Sequence, residues 1–268
     1  MRGHYSVTDL RKALSNLPIG KGDVIFTHSN LGFFGRPDEV LGNAQICEMF
    51  FDEIFTAIGH NGTLVVPTFT YSFPRKEVFD PLECPTTMGT FAEWVCSHPN
   101  SFRSEDSSYS VAAIGGNAES LTESSPENSF GEGSFFDLFY RAGGKVLNLN
   151  FDAGSTFIHY VERKLAVPYR FDKTFSGMRV MNGVIQPAKS TIWVRYMSDM
   201  ALEFDSKPFT NVARENDLYH VESLGRGQIG LISADSTYKL IQQTLQKRPW
   251  FLTKAELMGV LHPKIVPE

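Results

Sequence analysis

The chain has 268 residues, with hydrophobic residues at 42% and charged residues at 21%, the mixture of an ordinary folded protein, which excludes a largely disordered one. Lys and Arg number 25 against 30 Asp and Glu, for a formal charge of −5. That balance argues against nucleic acid as a partner, because such proteins need a basic face. The length admits one large domain or two small ones. The three cysteines, Cys47, Cys84 and Cys96, form no CxxC pair, so neither a disulfide framework nor a zinc site is expected. The first residues read as polar rather than as a signal-peptide core. No apolar run of 18 residues exists, so no membrane span is expected, and a reducing, cytoplasmic setting is the default. Phe alone contributes 22 residues, which suits a well-filled core.

In chain order, Thr8 is read as the N-cap of a short helix that Gly20–Gly22 breaks. Residues 24–27 read as a buried strand running into His28-Ser29-Asn30-Leu31-Gly32. Val40, Ala44, Cys47, Phe51, Ile54 and Ile58 recur at helical intervals and predict a helix over 39–58. A second strand, 63–67, leads into Thr68-Phe69-Thr70-Tyr71. Residues 73–88, rich in proline and acids, read as a long surface loop of the kind that is often functional. A helix over 91–97, a strand over 109–114, a helix over 134–141 and a strand over 145–150 follow. Next come a turn and a helix over roughly 155–165. Beyond Pro168, residues 178–197 read as a hairpin turning at Asn182-Gly183. One further strand is read at 228–232, then a helix over 236–247 with Tyr238, Ile241 and Leu245 on one face. The alternation predicts an α/β fold: a central, mostly parallel sheet flanked by helices, with a small antiparallel β insert in the C-terminal third. The domain reading is one unit over 1–268 with a β-rich insert at about 170–230.

The segment Asn150 to Glu162 carries the most chemistry. His159 and Glu162 are three apart and share a helix face. A carboxylate beside an imidazole fixes its tautomer and raises its basicity, which suits a general base. Asp152 leaves a strand end, where α/β proteins place their sites, and the helix start offers N–H groups to an oxyanion. The competing reading is a structural histidine beside a surface acid. A metal would need His28 or Asp152 as third ligand, and none is predicted. Three further segments could face a phosphate: His28 to Gly32, Arg103 to Ser110, and Phe130 to Ser134. Taken alone, the first two read more readily as ordinary loops, and the last is a glycine-rich turn that is not a P-loop.

Taken in order, these segments resemble the aminoglycoside N3-acetyltransferase-like family. The matching pieces are His28-Ser29-Asn30-Leu31 with Gly32 and Gly35, Val66 to Tyr71, and Met88-Gly89. They continue with Arg103-Ser104, Ser110 to Ala113, Gly131-Glu132-Gly133-Ser134, Gly143 to Leu147, and Thr156, His159 and Glu162. The resemblance spans roughly residues 8–250. It implies an acyl-CoA-dependent N-acyltransferase, with acetyl-CoA or another acyl-CoA as co-substrate and no metal. It implies His159 as base, Glu162 as its partner with Asp152 nearby, and Thr156 close to the thioester oxygen. His28, Ser29, Asn30, Leu31, Arg103, Ser104, Ser110, Gly133 and Ser134 would lie by the coenzyme. Where the family has His-Pro, this chain has Asp106-Ser107.

The acceptor is expected to be an amino sugar, with Tyr71, Arg163, Arg170 and Lys173 on its side of the site. Over residues 163–173 four cations stand against one acid, Asp172. Near the site they would repel a polycation and attract a diphosphate, although a solvated helix face reads equally well. The preferred acceptor is therefore a nucleotide-linked amino sugar, as in surface-polysaccharide pathways. An aminoglycoside is the alternative, and a catalytically lapsed CoA binder is the third reading. Cys84 as an acyl carrier is disfavoured, since a thiol needs an activating base. The long loop and the phenylalanines permit a homodimer without requiring one.

Overall fold

The computed structural model describes residues 3–39, 41–181 and 183–267. Strands β1 (Val24–Ser29), β2 (Thr63–Pro67), β3 (Phe102–Arg103), β4 (Val111–Gly115), β5 (Lys145–Leu149), β8 (His220–Leu224) and β9 (Gly227–Ser233) form one sheet in the order β3-β4-β2-β1-β5-β9-β8. The centre, β2-β1-β5, is parallel. Each outer neighbour pairs antiparallel, so five of the seven strands share one direction. Strands β6 (Arg170–Met181) and β7 (Val184–Arg195) form a separate two-stranded antiparallel sheet.

Alternation along the central strands explains the layering. Val24, Phe26, Val65, Val111, Ala113 and Val146 enter one core. Ile25, Leu64, Val66, Ala112, Ile114 and Leu147 enter the other. Helices α1 (Val7–Asn16), α2 (Asn43–Ile58) and α3 (Thr90–Cys96) cover the second core. Helices α4 (Ala118–Thr122), α5 (Phe135–Arg141), α6 (Phe157–Lys164), α7 (Lys207–Glu215) and α8 (Ala234–Leu245) cover the first, and a short α9 (Lys254–Met258) follows. Phenylalanines dominate the first core: Phe26 meets Phe135, Phe136 and Phe139 edge-on at 5.1–6.0 Å.

Several boundaries differ from the sequence reading. Ser6, not Thr8, caps α1: its Oγ accepts from Asp9 N–H, and the Asp9 carboxylate accepts from Ser6 N–H. Helix α2 begins at Asn43, Val40 lies outside the described residues, and its buried stripe runs Cys47, Phe50, Ile54, Ile58. Phe51 instead stacks on Phe55 and Trp94 at the rim. The hairpin starts eight residues early, at Arg170, because the polar and charged residues of its root, 170–177, do not read as buried strand. Asn182 lies outside the described residues, while Gly183 has φ +74°. The last third adds two strands to the main sheet rather than one, since β8 is short and polar. The 73–88 loop has no helix or strand, but Phe73 and Phe79 are buried and Phe79 bridges Arg179 on β6.

Gly115 ends β4 at φ +125°, and a Cβ there would lie 2.1 Å from the Gly62 carbonyl oxygen. Gly115→Ala is expected to lower stability by about 1–3 kcal/mol or more through backbone strain, read as a lower urea midpoint at unchanged m-value.

Candidate active site

The carboxyl ends of β2, β1 and β5 open on one edge, where α/β sheets place ligands. Just past β2 and β5, Tyr71 (φ 53°) and Asn150 (φ 67°) hold left-handed backbone. For a bulky residue this costs of order 1–3 kcal/mol and persists only where neighbours enforce it. Tyr71 meets Tyr109 edge-on at 5.3 Å and Phe69 at 6.4 Å. Asn150 donates to the Asn30 carbonyl (2.9 Å) and accepts from Gln228 N–H (3.0 Å), joining three loops.

Helix α6 starts at this edge. Phe157, Ile158, Tyr160 and Val161 anchor it in the core. One turn apart, His159 Nδ1 and Glu162 Oε2 lie 2.7 Å from each other. An ionised carboxylate offers only lone pairs, so Nδ1 carries the proton and Nε2 presents its lone pair. The imidazole is 18% exposed and sits edge-on to Phe204 (5.2 Å) and Phe130 (6.2 Å).

Glu162 is fully buried. Oε1 accepts from the Tyr169 hydroxyl at 3.0 Å, and Oε2 pairs with Arg170 Nε at 2.8 Å. Burial alone would raise its pKa, but the Arg170 charge, His159 and Tyr169 outweigh burial and hold it below the usual carboxylate range. Burial pushes His159 down, Arg170 pushes it further, and the bond to and charge of Glu162 oppose them; the net shift is downward. The result is a neutral imidazole beside a permanent carboxylate, the form a base requires.

His28, at the end of β1, reaches the same helix start: its Nε2 lies 3.3 Å from Thr156 Oγ1. Its ring packs on Phe26 and Phe151, and burial lowers its pKa to about 4. Its Nδ1 is buried with no hydrogen-bond partner. Orphaned N–H groups are rarer than orphaned lone pairs, so the proton belongs on Nε2. Nε2–H then donates to Thr156, which leaves the threonine hydroxyl able to donate outward. Asp152 stands apart from this network. Its carboxylate accepts from Gly154 N–H (2.9 Å) and Ser206 Oγ (2.7 Å), bracing the turn before α6.

The residues expected at the coenzyme separate. Ser29, Asn30 and Leu31 line a cavity of about 400 Å³ with Gly32, Gly89 and Thr90. Arg103 instead points its guanidinium at the carbonyls of Pro81, Cys84 and Thr68, clamping the 73–88 loop to the end of β2. Ser104 and Ser110 are buried, accepting from Val111 N–H and donating to the Thr68 carbonyl respectively. Ser134 caps α5, and Gly133 N–H donates to Asp137. None of these five lines the Ser29 cavity.

The basic stretch also separates. Arg163 makes a bidentate pair with Asp172 (2.9 and 2.8 Å), Lys164 faces Asp137, and Arg170 is buried on Glu162. Lys173 and Arg170 line another cavity, of about 530 Å³, with Tyr109, Trp193, Arg195 and Phe204. Arg195 was not singled out in the sequence, although the hairpin register that pairs Met181 with Val184 places it opposite Arg170. The Asp106-Ser107 departure is absorbed locally: Asp106 accepts from Ser108 and Tyr109 N–H and shapes the turn that delivers Tyr109. Cys84 Sγ accepts from Asp80 N–H and borders the Val78 carbonyl, with no base bonded to it. Among the described residues no group of His, Cys, Asp or Glu is spaced to hold a metal ion, and no helix is long and apolar enough to cross a membrane.

The chain belongs to the aminoglycoside 3-N-acetyltransferase family, whose model matches residues 28–246. Aminoglycoside N(3)-acetyltransferase III of a Salmonella species is 28% identical over 179 residues, 59% of this chain and 60% of that protein. The protein of the same name from Acinetobacter baumannii is 27% identical over the same share. The chain thus matches about three fifths of the length of these relatives. Among solved structures, the aminoglycoside acetyltransferase AAC(3)-Xa superposes with a TM-score of 0.77 at 19% identity, covering 90% of this chain and 92% of that one. AAC-IIIb in a binary complex with CoASH gives 0.75 at 21% identity, covering 91% and 97%. At those identities the likeness is one of fold.

Two outcomes follow from the electrostatics. His28 titrates at about 4 in the folded protein and near 6.5 when unfolded. The unfolded chain therefore binds the proton first, and stability is full above about pH 6.5 and falls as pH drops toward 4. The slope is at most about 1.4 kcal/mol per pH unit for this group, and urea midpoints for His28→Gln are expected to fall less steeply over that window. Removing the Arg170 charge removes one of the forces depressing His159. Arg170→Met is expected to raise the His159 pKa in an NMR titration and to cost about 3–5 kcal/mol of stability by leaving Glu162 unpaired.

Proposed function

We propose that this protein transfers the acetyl group of acetyl-CoA to an amine by direct attack, with His159 as general base. The observation that carries the reading is the 2.7 Å bond from His159 Nδ1 to a fully buried Glu162, with Nε2 left open. The amine nitrogen attacks the thioester carbonyl, forming the C–N bond as the C–S bond breaks. The amine proton passes to His159 Nε2 and then to the departing thiolate. The imidazolium formed in between is stabilised by Glu162, which stays ionised throughout. Thr156, held by His28, supplies a hydroxyl hydrogen bond to the developing oxyanion.

The Ser29 cavity suits an extended amide-bearing arm such as that of pantetheine, because small side chains and glycines bring backbone groups to its surface. The whole chain is read as one catalytic domain. Family membership supports an aminoglycoside as the acceptor class, since the relatives' names state that chemistry. A nucleotide-linked amino sugar is the second reading, favoured by the cations that line the cavity beside Phe204. The intact His159–Glu162 pair speaks against a lapsed enzyme.

His159→Ala is expected to reduce thiol release from acetyl-CoA by about 10²–10⁴-fold while CoA binding measured by calorimetry stays within a few-fold. Near-normal turnover in that variant would remove His159 as the base.

A further inference from the structure

We propose that the cavity at the root of the β6–β7 hairpin binds a phosphoryl group, and that the amine acceptor carries it. The proposal rests on the acetyl-transfer reading and names the acceptor class within it.

The hairpin register sets Arg170 directly opposite Arg195. Like charges facing each other across a strand pair are destabilising, so the pair is not explained by stability. Glu162 holds Arg170 at 2.8 Å. Arg195 forms no ion pair among the described residues, and its hydrogen bond there is a long one, 3.5 Å, to the Tyr196 carbonyl. Two residues before it on the strand, Trp193 Nε1 is buried with no hydrogen-bond partner, an arrangement that is ordinarily destabilising. Both Trp193 and Arg195 line the cavity, with Lys173 nearby. Its one lining carboxylate, Glu203, is paired with Lys254 at 2.8 Å and also feels the charge of Arg195, which helps lower its pKa.

The unused polar atoms on this wall, guanidinium and indole N–H, are donors. Unused donors of this kind are satisfied by a ligand rich in acceptors and poor in donors, and a guanidinium matches phosphate geometry in particular. A polycation would meet like charge here. Location assigns the group to the acceptor. Phe204 lines the cavity and lies edge-on to the His159 ring at 5.2 Å, and Arg170 joins the cavity to Glu162. The Ser29 cavity shares no lining residue with it. CoA also carries phosphates, so the test must separate the two sources.

The full-length protein, saturated with CoA, is titrated with inorganic diphosphate by calorimetry. Binding is expected, weakened about tenfold or more in Arg195→Ala. Trp193→Phe keeps the ring and loses the N–H, and is expected to weaken binding about threefold or more. Thermal melts of both variants establish that they are folded, and Trp193→Phe decides the matter if Arg195→Ala is not. Thiol release is then followed with matched amines: glucosamine, glucosamine 6-phosphate, nucleotide-linked 3-amino and 4-amino sugars, and kanamycin. A phosphate-bearing amine is expected to have the highest kcat/KM, with Arg195→Ala raising its KM about tenfold and leaving the KM for acetyl-CoA within about twofold. Three results overturn the proposal: no diphosphate binding by the CoA-saturated protein, kanamycin as the better substrate, or a KM increase for acetyl-CoA instead, which would assign the phosphate to the coenzyme. Absence of thiol release with every amine, alongside Arg195-dependent diphosphate binding, would count against the acetyl-transfer reading and leave the phosphoryl site standing.

Discussion

The buried carboxylate of Glu162 is the constraint on which the site depends. A charge with no exposure is tolerable only with close partners, and three side chains provide them: His159, Tyr169 and Arg170. They come from the first and last residues of one short stretch of chain. The helix supplies the imidazole, the turn after it supplies the phenol, and the first residue of the hairpin supplies the guanidinium. The start of β6 is therefore fixed relative to α6 by electrostatics as much as by packing. The same arginine lowers the pKa of both groups, adding to burial at the imidazole and opposing burial at the carboxylate.

Around that centre, cations that look alike in the sequence do different work. Arg163 stitches α6 to the hairpin through Asp172, Lys164 covers Asp137, and Arg103 secures the 73–88 loop by its backbone carbonyls. Arg170, Lys173 and Arg195 instead reach the cavity beside Phe204. Charge counted along a sequence averages over these roles, which the fold separates.

Much of the fold was legible because its signals are local. Short apolar runs and glycine breaks mark β1, β2 and β5, and the three-residue spacing of His159 and Glu162 gives their contact directly. What escaped depends on distant partners. Asp152 at a strand end looks catalytic until Ser206, 54 residues on, is seen to hold it. Ser104 and Ser110 look like phosphate ligands until Val111 N–H and the Thr68 carbonyl, brought in from neighbouring segments, are seen to engage their buried hydroxyls. Tyr169 carries no pattern of its own, and Arg170 reads in the sequence as an acceptor contact, because the bonds of both to a carboxylate on the preceding helix are set only by the fold. Arg195 lay within reach: a two-residue turn fixes every cross-strand partner in the hairpin, and following that register outward leads to it. The polar strand β8 carries no alternation to read and is recruited only by β9.

The two margins of the main sheet have a consequence for behaviour in concentrated solution. One margin, β3, is two residues long and ends in an arginine whose side chain is turned inward. The other, β8, carries His220 and Glu222. Short, charged margins give an incoming strand little backbone to pair with. A sheet of seven strands is thus closed to edgewise growth at both ends, so the protein can accumulate without stacking its sheets into fibres, and any contact between copies would have to be made through helices, loops or the projecting hairpin.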